Sequence, residues 1–383
     1  MGTLIRDLEQ GTGDASRHAP HDKRVLYLCH VDWGWIKQRP QHIAEQLQRF
    51  FDVRVLFNYN WKRGKLPNKF RISSSCLPLL HIPLRRFAPV LAKLDAFAVR
   101  SMVRCALLLL RPDVVWLTSP ELFAHLPRRL RAPIVYDCMD DVLTFPRNVN
   151  RIAHLERLER ALVDKAAIVF VSSRRLQSVL EARHHQPQKY HLLRNAFDGK
   201  ILPRPEEKHR SAGIFKIGYC GTIAPWCDWE LLTKLVNAKP DVEVHLVGPV
   251  DDGASVVTHP RIVLRGAVRH SSLPTITDEF DCLLMPFRVT PLIESVDPVK
   301  LYEYINFGKP IVSVYYDEIA RFAPFVHFYR SHDQALGIVS QLAAAKIGRQ
   351  YSDVERRDFL SKNSWAERAA VAAAMLKAIG EQA

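Results

Sequence analysis

The sequence predicts an α/β protein built from two doubly wound parallel sheets. Short apolar runs without strict alternation recur along the chain, as in parallel strands covered on both faces, and helical segments separate several of them. The 383 residues correspond to two domains of ordinary size. A segment rich in proline, glycine and charge, residues 199–213, interrupts this pattern and predicts the boundary between the domains.

The first series of elements begins at Arg24. Its predicted strands are RVLYLCHV, DVRVLFN, DVVWLTSP, PIVYDCMDD, AIVFVSS and YHLLRNAFD. One helix is expected from Pro40, because proline is favoured in a first helical turn, and another over NRIAHLERLERALVDKA. Residues 67–112 mix helical apolar positions with basic residues. A basic amphipathic helix at an interface and ordinary core helices with basic outer faces both fit this segment.

The second series follows the predicted boundary. Its strands are predicted to be FKIGYC, VEVHLVG, RIVLRG, DCLLMPF and PIVSVYY. Helices are expected to begin at Asp228, near Ser271 to Pro274, and at Pro298. A last helix after Asn363 and Ser364 carries an apolar stripe and therefore needs a surface to cover.

The composition is that of a globular protein, with 48% apolar and 25% charged residues. The seven cysteines are odd in number and form no close metal-type cluster, which favours a reducing cytoplasm. No run of about 18 apolar residues predicts a membrane span, and the polar N-terminus lacks the apolar core of a signal peptide. Zinc spacing, a Walker motif and a nucleophile elbow are absent from the sequence, which argues against zinc chemistry and triad hydrolysis.

The net charge of +14 is concentrated in the first half of the chain. Residues 1–200 hold 33 lysines and arginines against 18 acids, whereas the remainder holds 21 against 22. Such a field predicts an anionic partner, namely phospholipid, a lipid-linked diphosphate or nucleic acid, although a solvated basic surface also explains it. No helix-turn-helix pattern or interleaved basic and aromatic motif accompanies the charge.

The most informative motif is IESVDPVKLYEYINFGKPIVSV. Asp297 is expected to cap a helix that has Pro298 at its first position and ends at Gly308. Lys300 then lies in the first turn, where a cation is unfavourable unless an anion is bound, so the motif predicts a phosphate site. Glu303, on the same face, could accept hydrogen bonds from a ribose diol. A surface Lys–Glu pair is the alternative.

Two further turns follow predicted strands. In GYCGTIAPWCDW, Gly221 and Thr222 would let backbone amides approach a phosphate, although a plain tight turn gives the same pattern. In HVDWGWIKQRPQH, polar and aromatic residues fall beyond the carboxyl end of the first strand, where open α/β sheets bind ligands. The two tryptophans there could form a platform for a sugar ring or simply pack at the start of the helix.

An acidic cluster, Asp137, Asp140 and Asp141, ends the fourth predicted strand. A carboxylate there could act as general base or orient an acceptor hydroxyl. Aspartates at strand ends also turn the chain or cap helices, and this cluster is not convincing as a metal site.

Together these motifs resemble the GT-B glycosyltransferases, especially bacterial polysaccharide enzymes of the family 1 and family 4 type. The strings that carry the resemblance are DWGWIKQRPQHIA, YDCMDD, VSS, RNAFD, YCGTI, LVGP, FDCLLMPF and PVKLYEYINFGKPIVS. The resemblance implies two Rossmann-like domains facing a central cleft, with the donor held by the C-terminal one. It also implies that Lys300 contacts the donor diphosphate and that Glu303 holds the ribose.

The expected site residues follow from the motifs and the resemblance together. The donor-binding set is Gly221, Thr222, Gly248, Pro249, Gly266, Ala267, Val268, Pro286, Phe287, Val299, Lys300 and Glu303. The acceptor-binding set is His30, Trp33, Trp35 and Arg39, and the catalytic set is Asp32, Asp140, Asp141 and Lys300. The expected organisation is a flexible tail over residues 1–22, domains over 23–198 and 214–362, and a helix over 363–383 that packs back on the first domain.

The stereochemical outcome stays open at this point. In the retaining pattern a second glutamate stands eight positions before Glu303, but here Ser295 stands there and Glu294 precedes it. The sequence is also similar to inverting glucuronosyltransferases of exopolysaccharide assembly, which use an N-domain aspartate as base. If the protein inverts, we expect Asp32 to rank ahead of Asp140 and Asp141, because it follows the first strand.

We therefore expect a glycosyltransferase that uses a nucleotide-diphosphate sugar, UDP-linked rather than GDP-linked, and a lipid-linked saccharide acceptor. No metal or cofactor beyond the nucleotide-sugar co-substrate is expected. The partner of the basic half is expected to be the anionic inner face of the plasma membrane and not nucleic acid. A nucleotide-sugar epimerase or hydrolase on the same fold, and a basic nucleic-acid-binding protein, are the alternatives.

Overall fold

The computed structural model describes residues 23–34, 37–59, 75–83, 88–145, 148–203, 213–251 and 253–379. The predicted tail at residues 1–22, most of the predicted linker, and Trp35 therefore lie outside the described residues.

Two parallel sheets form the framework, as the apolar runs predict. The first sheet contains β1 (Arg24–Cys29), β2 (Asp52–Asn58), β3 (Cys76–Leu79), β4 (Val114–Leu117), β5 (Ile134–Cys138), β6 (Ala166–Val171) and β7 (Tyr190–Leu192) in the order β3-β2-β1-β4-β5-β6-β7. The second contains β8 (Phe215–Cys220), β9 (Val242–Val247), β10 (Ile262–Gly266), β11 (Cys282–Met285), β12 (Ile311–Val314) and β13 (His327–Tyr329) in the order β10-β9-β8-β11-β12-β13. The predicted fold class, two doubly wound α/β units, is confirmed.

Helices cover and connect the strands. Those of the first unit are α1 (Arg39–Leu47), α2 (Pro89–Leu110), α3 (Pro120–Phe123), α4 (Val149–Lys165) and α5 (Arg174–His184). Those that follow are α6 (Trp229–Ala238), α7 (Leu273–Thr277), α8 (Pro291–Glu294), α9 (Val299–Phe307), α10 (His332–Ala343), α11 (Asp353–Lys362) and α12 (Trp365–Ile379). None of these described helices is long and apolar enough to cross a bilayer.

The strand order reverses at the centre of each sheet. β1 pairs with both β2 and β4, and β8 pairs with both β9 and β11. In open α/β sheets the crevice for a ligand lies at such a reversal, outside the carboxyl ends of the strands. The loops after β1, β4, β8 and β11 are therefore the first places to look for a site.

The last helix belongs to the core of the first unit. Trp365, at the start of α12, is 1% exposed and packs in the same apolar cluster as Val25 and Ile43. Its ring stacks on His42 of α1 at 5.1 Å between centroids. The surface that the apolar stripe of this helix needs is therefore provided by α1 and the first sheet.

The structure differs from the sequence predictions at three places. β3 and β13 are additional edge strands of four and three residues, and β3 contains Pro78, which is tolerated only at an edge. Residues 89–110 form one continuous helix, α2. Asp297 does not cap α9: Pro298 occupies the N-cap, and the Asp297 carboxylate is used by other partners.

Candidate functional site

Three strand ends of the second sheet are joined into one surface by glycines. Gly221 and Gly248 both have φ of +150°, and a Cβ on Gly248 would lie 2.0 Å from the carbonyl oxygen of Gly221. The Gly221 amide donates to the Val247 carbonyl at 2.8 Å, and the Gly248 amide donates to the Gly266 carbonyl at 2.8 Å. Only glycine allows the loops after β8 and β9 to lie this close together.

Lys300 lies directly against this surface. A Cβ on Gly221 would be 1.9 Å from Cε of Lys300 and 2.8 Å from its Nζ, so the lysine occupies the space that the glycine leaves. Its Nζ lies 5.9 Å from the ring centroids of both Tyr219 and Phe287. No carboxylate within the described part of the chain forms an ion pair with it. Burial lowers the pKa of Lys300, and the Glu303 carboxylate opposes this shift only in part.

The position of Lys300 in α9 indicates the kind of ligand that this cation would bind. It is the second residue of the helix, where exposed amides carry partial positive charge, and the first turn contains no acidic residue. A partly buried cation at the positive end of a helix, beside glycines that expose backbone amides, is unfavourable until an anion is bound. The arrangement fits a phosphate or diphosphate.

Glu303 does not pair with Lys300, so the alternative of a surface Lys–Glu pair is not what the structure shows. Its Oε1 lies 2.7 Å from Nε2 of His270, and its side chain is 19% exposed. This bond raises the pKa of His270. His270 follows the loop at residues 266–268, and only that position along the chain could have identified it as a candidate.

The other expected donor-side residues lie on the same edge of the second sheet. Ala267 and Val268 are exposed in the loop after β10. The Pro286 carbonyl accepts from the Asp228 amide at 2.8 Å, and the buried Phe287 packs edge-on to Tyr219. Other expected members are placed by backbone contacts: the Thr222 carbonyl accepts from Tyr219, the Pro249 carbonyl accepts from the Ile223 amide, and Val299 packs against the core of the first unit.

Two of the expected residues follow β1 on the facing side. Nδ1 of His30 lies 2.7 Å from the hydroxyl of Thr118, which follows β4, and burial lowers the pKa of His30 to about 4. His30 is therefore neutral near pH 7. Asp32 is 7% exposed, and its Oδ1 accepts a hydrogen bond from the Gly34 amide at 2.9 Å. The carboxylate of Asp32 thus stabilises its own turn.

Arg39 and Trp33, two of the residues expected to bind the acceptor, make contacts within the first unit. Arg39 is 2% exposed and donates from Nε and Nη2 to Asp137, at 2.9 and 2.7 Å, and from Nη1 to the Leu193 carbonyl at 2.6 Å. The guanidinium therefore ties the start of α1 to the ends of two strands. The ring of Trp33 packs against Phe57 at 6.3 Å between centroids.

The acidic residues after β5 have different environments. Asp141 is 3% exposed and accepts from Arg183 at 2.8 Å and from the Leu143 amide at 3.2 Å. Among the described residues, no donor is bonded to the carboxylate of Asp140. Burial raises the pKa of Asp140 to about 6; the Arg39 charge lowers it in part, and the Asp141 charge adds to the rise. A carboxylate that is unpaired and titrates near neutral pH is suited to proton transfer.

Contacts between the two units converge on Asp297, which the sequence suggested only as a helix cap. Its buried carboxylate accepts from the Asn195 amide at 2.9 Å and from Arg321. In return Asn195 donates to the Asp297 carbonyl at 2.6 Å, and the Tyr302 hydroxyl donates to the Asn195 carbonyl at 2.7 Å. The start of α9, and with it Lys300, is thereby fixed to the segment after β7.

The two residues at the position of the retaining-type glutamate also face the first unit. The buried Ser295 accepts from the hydroxyl of Ser173 through its carbonyl, at 2.6 Å, and Glu294 lies 3.4 Å from Arg175. Across the described ranges, no group of three histidine, cysteine or acidic residues is arranged to hold a metal ion.

The chain is similar to known proteins in sequence and in fold. Residues 36–196 match the family model described as the glycosyl transferase 4-like domain. The putative teichuronic acid biosynthesis glycosyltransferase TuaH of Bacillus subtilis (strain 168) is 23% identical over 259 residues, which are 61% of this chain and 64% of that protein. The chain thus matches slightly less than two thirds of this relative's length.

Solved structures share the whole architecture. Sucrose-phosphate synthase from Thermosynechococcus elongatus superposes with a TM-score of 0.74 at 12% identity, covering 94% of this chain and all of that one. HepE of Anabaena in complex with UDP-glucose gives a TM-score of 0.56 at 16% identity, covering 94% and 97%. These structures confirm the predicted two-unit fold, and the region of residues 36–196 is similar to the glycosyl transferase 4-like domain that the motifs predict.

Proposed function

We propose that this chain, which has the GT-B fold and a region similar to the glycosyl transferase 4-like domain, transfers a sugar from a nucleotide-diphosphate donor to a saccharide acceptor. The observation that carries the proposal is Lys300, a partly buried cation without an ion-pair partner among the described residues, at the start of α9 and against Gly221. It is where a leaving diphosphate would be neutralised. UDP is the favoured nucleotide, in keeping with the UDP-glucose complex of the structurally similar HepE.

Donor binding would use the glycine-joined surface of the second sheet. Lys300 and the amides at the start of α9 would contact the diphosphate, and Glu303 would accept hydrogen bonds from the ribose diol, exchanging its bond to His270 for them. We propose that no metal ion is required, because this cation and these amides offset the diphosphate charge themselves.

We assign the general base to Asp140. The Asp32 carboxylate is bonded within its own turn, and Asp141 is bonded to Arg183. The Asp140 carboxylate has no bonded partner in the part of the chain that the structure describes, and its pKa is about 6. In the proposed step Asp140 removes the acceptor hydroxyl proton as the acceptor oxygen bonds to the anomeric carbon. The bond from that carbon to the diphosphate breaks, and its electron pair leaves with the diphosphate, beside Lys300. Such a single displacement inverts the anomeric configuration.

The acceptor is proposed to be lipid-linked, because α2 presents a surface suited to an anionic membrane. Five large apolar side chains on this helix are between 52% and 81% exposed: Val90, Leu94, Phe97, Leu108 and Leu109. The basic residues Lys93, Arg100, Arg104 and Arg111 on and beside the helix are exposed as well. The helix has one acid, Asp95, and it is buried and bonded to His81. Apolar insertion and charge attraction would act together there.

A transfer assay tests this function. The chain is incubated, with EDTA in a parallel arm, with UDP- and GDP-hexoses and a prenyl-diphosphate-linked saccharide, and the extended acceptor is detected by mass spectrometry. We expect extension with a UDP-sugar in both arms and none with Lys300→Met. Release of free sugar alone, or a changed hexose still attached to UDP, would replace this proposal by the hydrolase or the epimerase. Activity restored only by manganese or magnesium would remove the metal-independent mechanism.

A further inference from the structure

The buried guanidinium of Arg39 joins two strand ends of the first unit. It donates to Asp137, at the end of β5, from Nε and Nη2 at 2.9 and 2.7 Å. From Nη1 it donates to the Leu193 carbonyl at 2.6 Å and to Oδ1 of Asn195 at 3.2 Å. Bonds from three of its nitrogens fix the plane of the guanidinium, so the end of β5 and the segment after β7 are held in one arrangement.

Asn195 continues this connection into the second unit. Its Nδ2 donates to the Asp297 carbonyl at 2.6 Å, and its backbone amide donates to the Asp297 carboxylate at 2.9 Å. A continuous series of hydrogen bonds therefore runs from Asp137 through Arg39 and Asn195 to Asp297, from one unit to the other.

The two ends of this series adjoin the two groups to which we assign the chemistry. Asp137 stands three positions before Asp140, and Asp297 stands three positions before Lys300. A base and a leaving-group cation on different units must keep one geometry while the sugar passes from donor to acceptor. Misplacing either group by a fraction of a bond length is enough to lower the rate strongly, so the connection between them matters to turnover.

The charge of Arg39 also acts on the proposed base. Burial raises the pKa of Asp140 to about 6, the charge of Arg39 opposes this rise, and the charge of Asp141 adds to it. Asp141 is itself bonded to Arg183 of α5. The guanidinium of Arg39 therefore keeps Asp140 ionised, and able to accept a proton, to a lower pH than burial alone would allow.

We propose that Arg39 is a positioning residue for the transfer reaction, which holds the segment of the base on the first unit in a fixed place relative to the start of α9 on the second. The proposal rests on the proposed function, because Asp140 and Lys300 are the groups that it aligns. Arg39 acts through Asp140 and transfers no proton itself, since a guanidinium stays protonated in proteins.

The test compares Arg39→Lys with Arg356→Lys in the transfer assay. Arg356 is a matched control: it is also fully buried and bonds one aspartate through Nε and Nη2, together with backbone carbonyl groups, but it lies in α11. Arg39→Lys loses the bonds that only a guanidinium makes, so we expect kcat to fall at least about tenfold while the Kd for UDP stays within about threefold. Arg356→Lys should destabilise the chain to a similar extent and change kcat less than about twofold.

Two further measurements distinguish alignment of the base from a purely structural effect. Arg39→Gln should shift the acid limb of the kcat profile to higher pH by about half a unit or more, because the charge that lowers the pKa of Asp140 is gone. In the Asp140→Asn background, Arg39→Lys should lower kcat by less than about twofold, because the residue acts through that base. If Arg39→Gln does not fold, Asn195→Ala replaces it: this half-buried position loses both side-chain bonds, and kcat should fall at least about fivefold with the Kd for UDP retained.

The results that contradict this proposal differ from those that contradict the proposed function. An unchanged kcat in Arg39→Lys, equal falls in Arg39→Lys and Arg356→Lys, or losses that add in the double variant with Asp140→Asn would overturn the positioning role. Absence of transfer by the unaltered chain would overturn the proposed function instead. The action of Arg39 on the base is then measured without substrate, by carbon-13 NMR titration of the Asp140 carboxyl, identified by its loss in Asp140→Asn. An equal pKa in the unaltered chain and in Arg39→Gln would overturn that action.

Discussion

At the scale of single residues, Lys300, at the start of α9, carries a charge that is unfavourable in the unliganded protein and that a bound anion would stabilise. Its pKa is lowered by burial, so the folded chain binds this proton less tightly than the unfolded chain does. Stability should therefore rise with pH as the ordinary pKa of lysine is approached, because the unfolded state then binds more protons. A bound diphosphate would reverse the shift.

We expect Lys300→Met to lose nucleotide affinity without losing stability. A charge-assisted contact is worth about 1.5–3 kcal/mol in binding, so the Kd for UDP should rise roughly 10- to 150-fold. The unliganded variant should melt no lower than the original chain, and its stability should depend less on pH below the ordinary pKa of lysine. Calorimetry with UDP and thermal melts measure both, with Lys234→Met, an exposed lysine of α6, as control. An unchanged Kd would mean that Lys300 is not at the diphosphate.

The kinetic effect of Glu303→Gln should differ from that of Lys300→Met. A ribose contact is made about equally in the ground state and the transition state, so KM for the donor should rise while kcat changes little. The substitution also removes the partner that raises the pKa of His270. His270→Ala distinguishes the two effects: it should leave KM within a few-fold of the original value. An equal fall in kcat for Glu303→Gln would indicate a contact to the reacting sugar instead.

For Asp140→Asn we expect kcat to fall by a factor of 10² or more, with nucleotide affinity retained, as for loss of a general base. In the original chain, activity should decline as pH falls through about 6, because the base becomes protonated at its raised pKa. Because the folded state binds this proton more tightly than the unfolded state, Asp140→Asn should be no less stable at neutral pH. Asp32→Asn is the comparison: turnover lost there and kept in Asp140→Asn would return the role to Asp32.

At this scale, the sequence predicts the environment of a residue when the residue's contact partners are close to it along the chain. Lys300, Glu303 and Gly221 could be selected as candidates because the start of a helix and the end of a strand are recognisable from consecutive residues. The ion pair of Arg39 was not predicted, because its partner, Asp137, is 98 positions away and nothing near Arg39 shows that the guanidinium is buried. The same holds for the bond from Arg183 to Asp141, 42 positions apart, which leaves Asp140 as the open carboxylate.

At the scale of elements, α2 has an exposed apolar face that packing within the described structure does not account for. The strands of both sheet centres were predictable because they are buried apolar runs, whereas β3 and β13 are short edge strands with mixed composition. α2 could not be assigned to core or interface from its sequence alone. In the structure Val99 and Val103 are fully buried on one face, while the apolar residues of the other face are exposed.

We expect the double variant Phe97→Ser, Leu109→Ser to lose binding to anionic vesicles while it keeps its stability. These side chains are 69% and 81% exposed, so the folded state loses little when they change, whereas burying each in lipid would contribute about 1.5–3 kcal/mol. Flotation with phosphatidylserine and phosphatidylcholine vesicles at low salt measures the loss. Val354→Ser, which changes a 77% exposed residue of α11, is the control. Equal partition of the unaltered chain onto both vesicles, or onto neither, would refute this role of α2.

At the scale of the whole molecule, the chain passes from the first unit to the second and returns. Phe197 exchanges backbone hydrogen bonds with Asn363 and Trp365, at 2.7 and 3.2 Å, at the point of return. From there α12 contributes residues to the core of the first unit, so this core is complete only when the end of the chain is in place. Together with the contacts around Asp297, this crossing joins the stability of the two units.

Trp365→Ala should therefore destabilise the whole protein, although the residue lies outside the first unit in sequence. Its side chain is among the largest fully buried ones, and truncating a buried tryptophan costs about 3–5 kcal/mol. Trp365→Phe should cost far less, because it keeps the ring packed near His42 and removes a buried indole N–H that has no hydrogen-bond partner among the described residues. Val371→Ala, at a half-exposed position of the same helix, should change stability by under about 0.5 kcal/mol. Denaturant unfolding followed by circular dichroism ranks the three variants.

If the units are coupled as the crossing implies, Trp365→Ala shifts one common transition. An earlier, separate transition of the first unit would show that α12 stabilises that unit alone and that the second unit stays folded when the first unfolds.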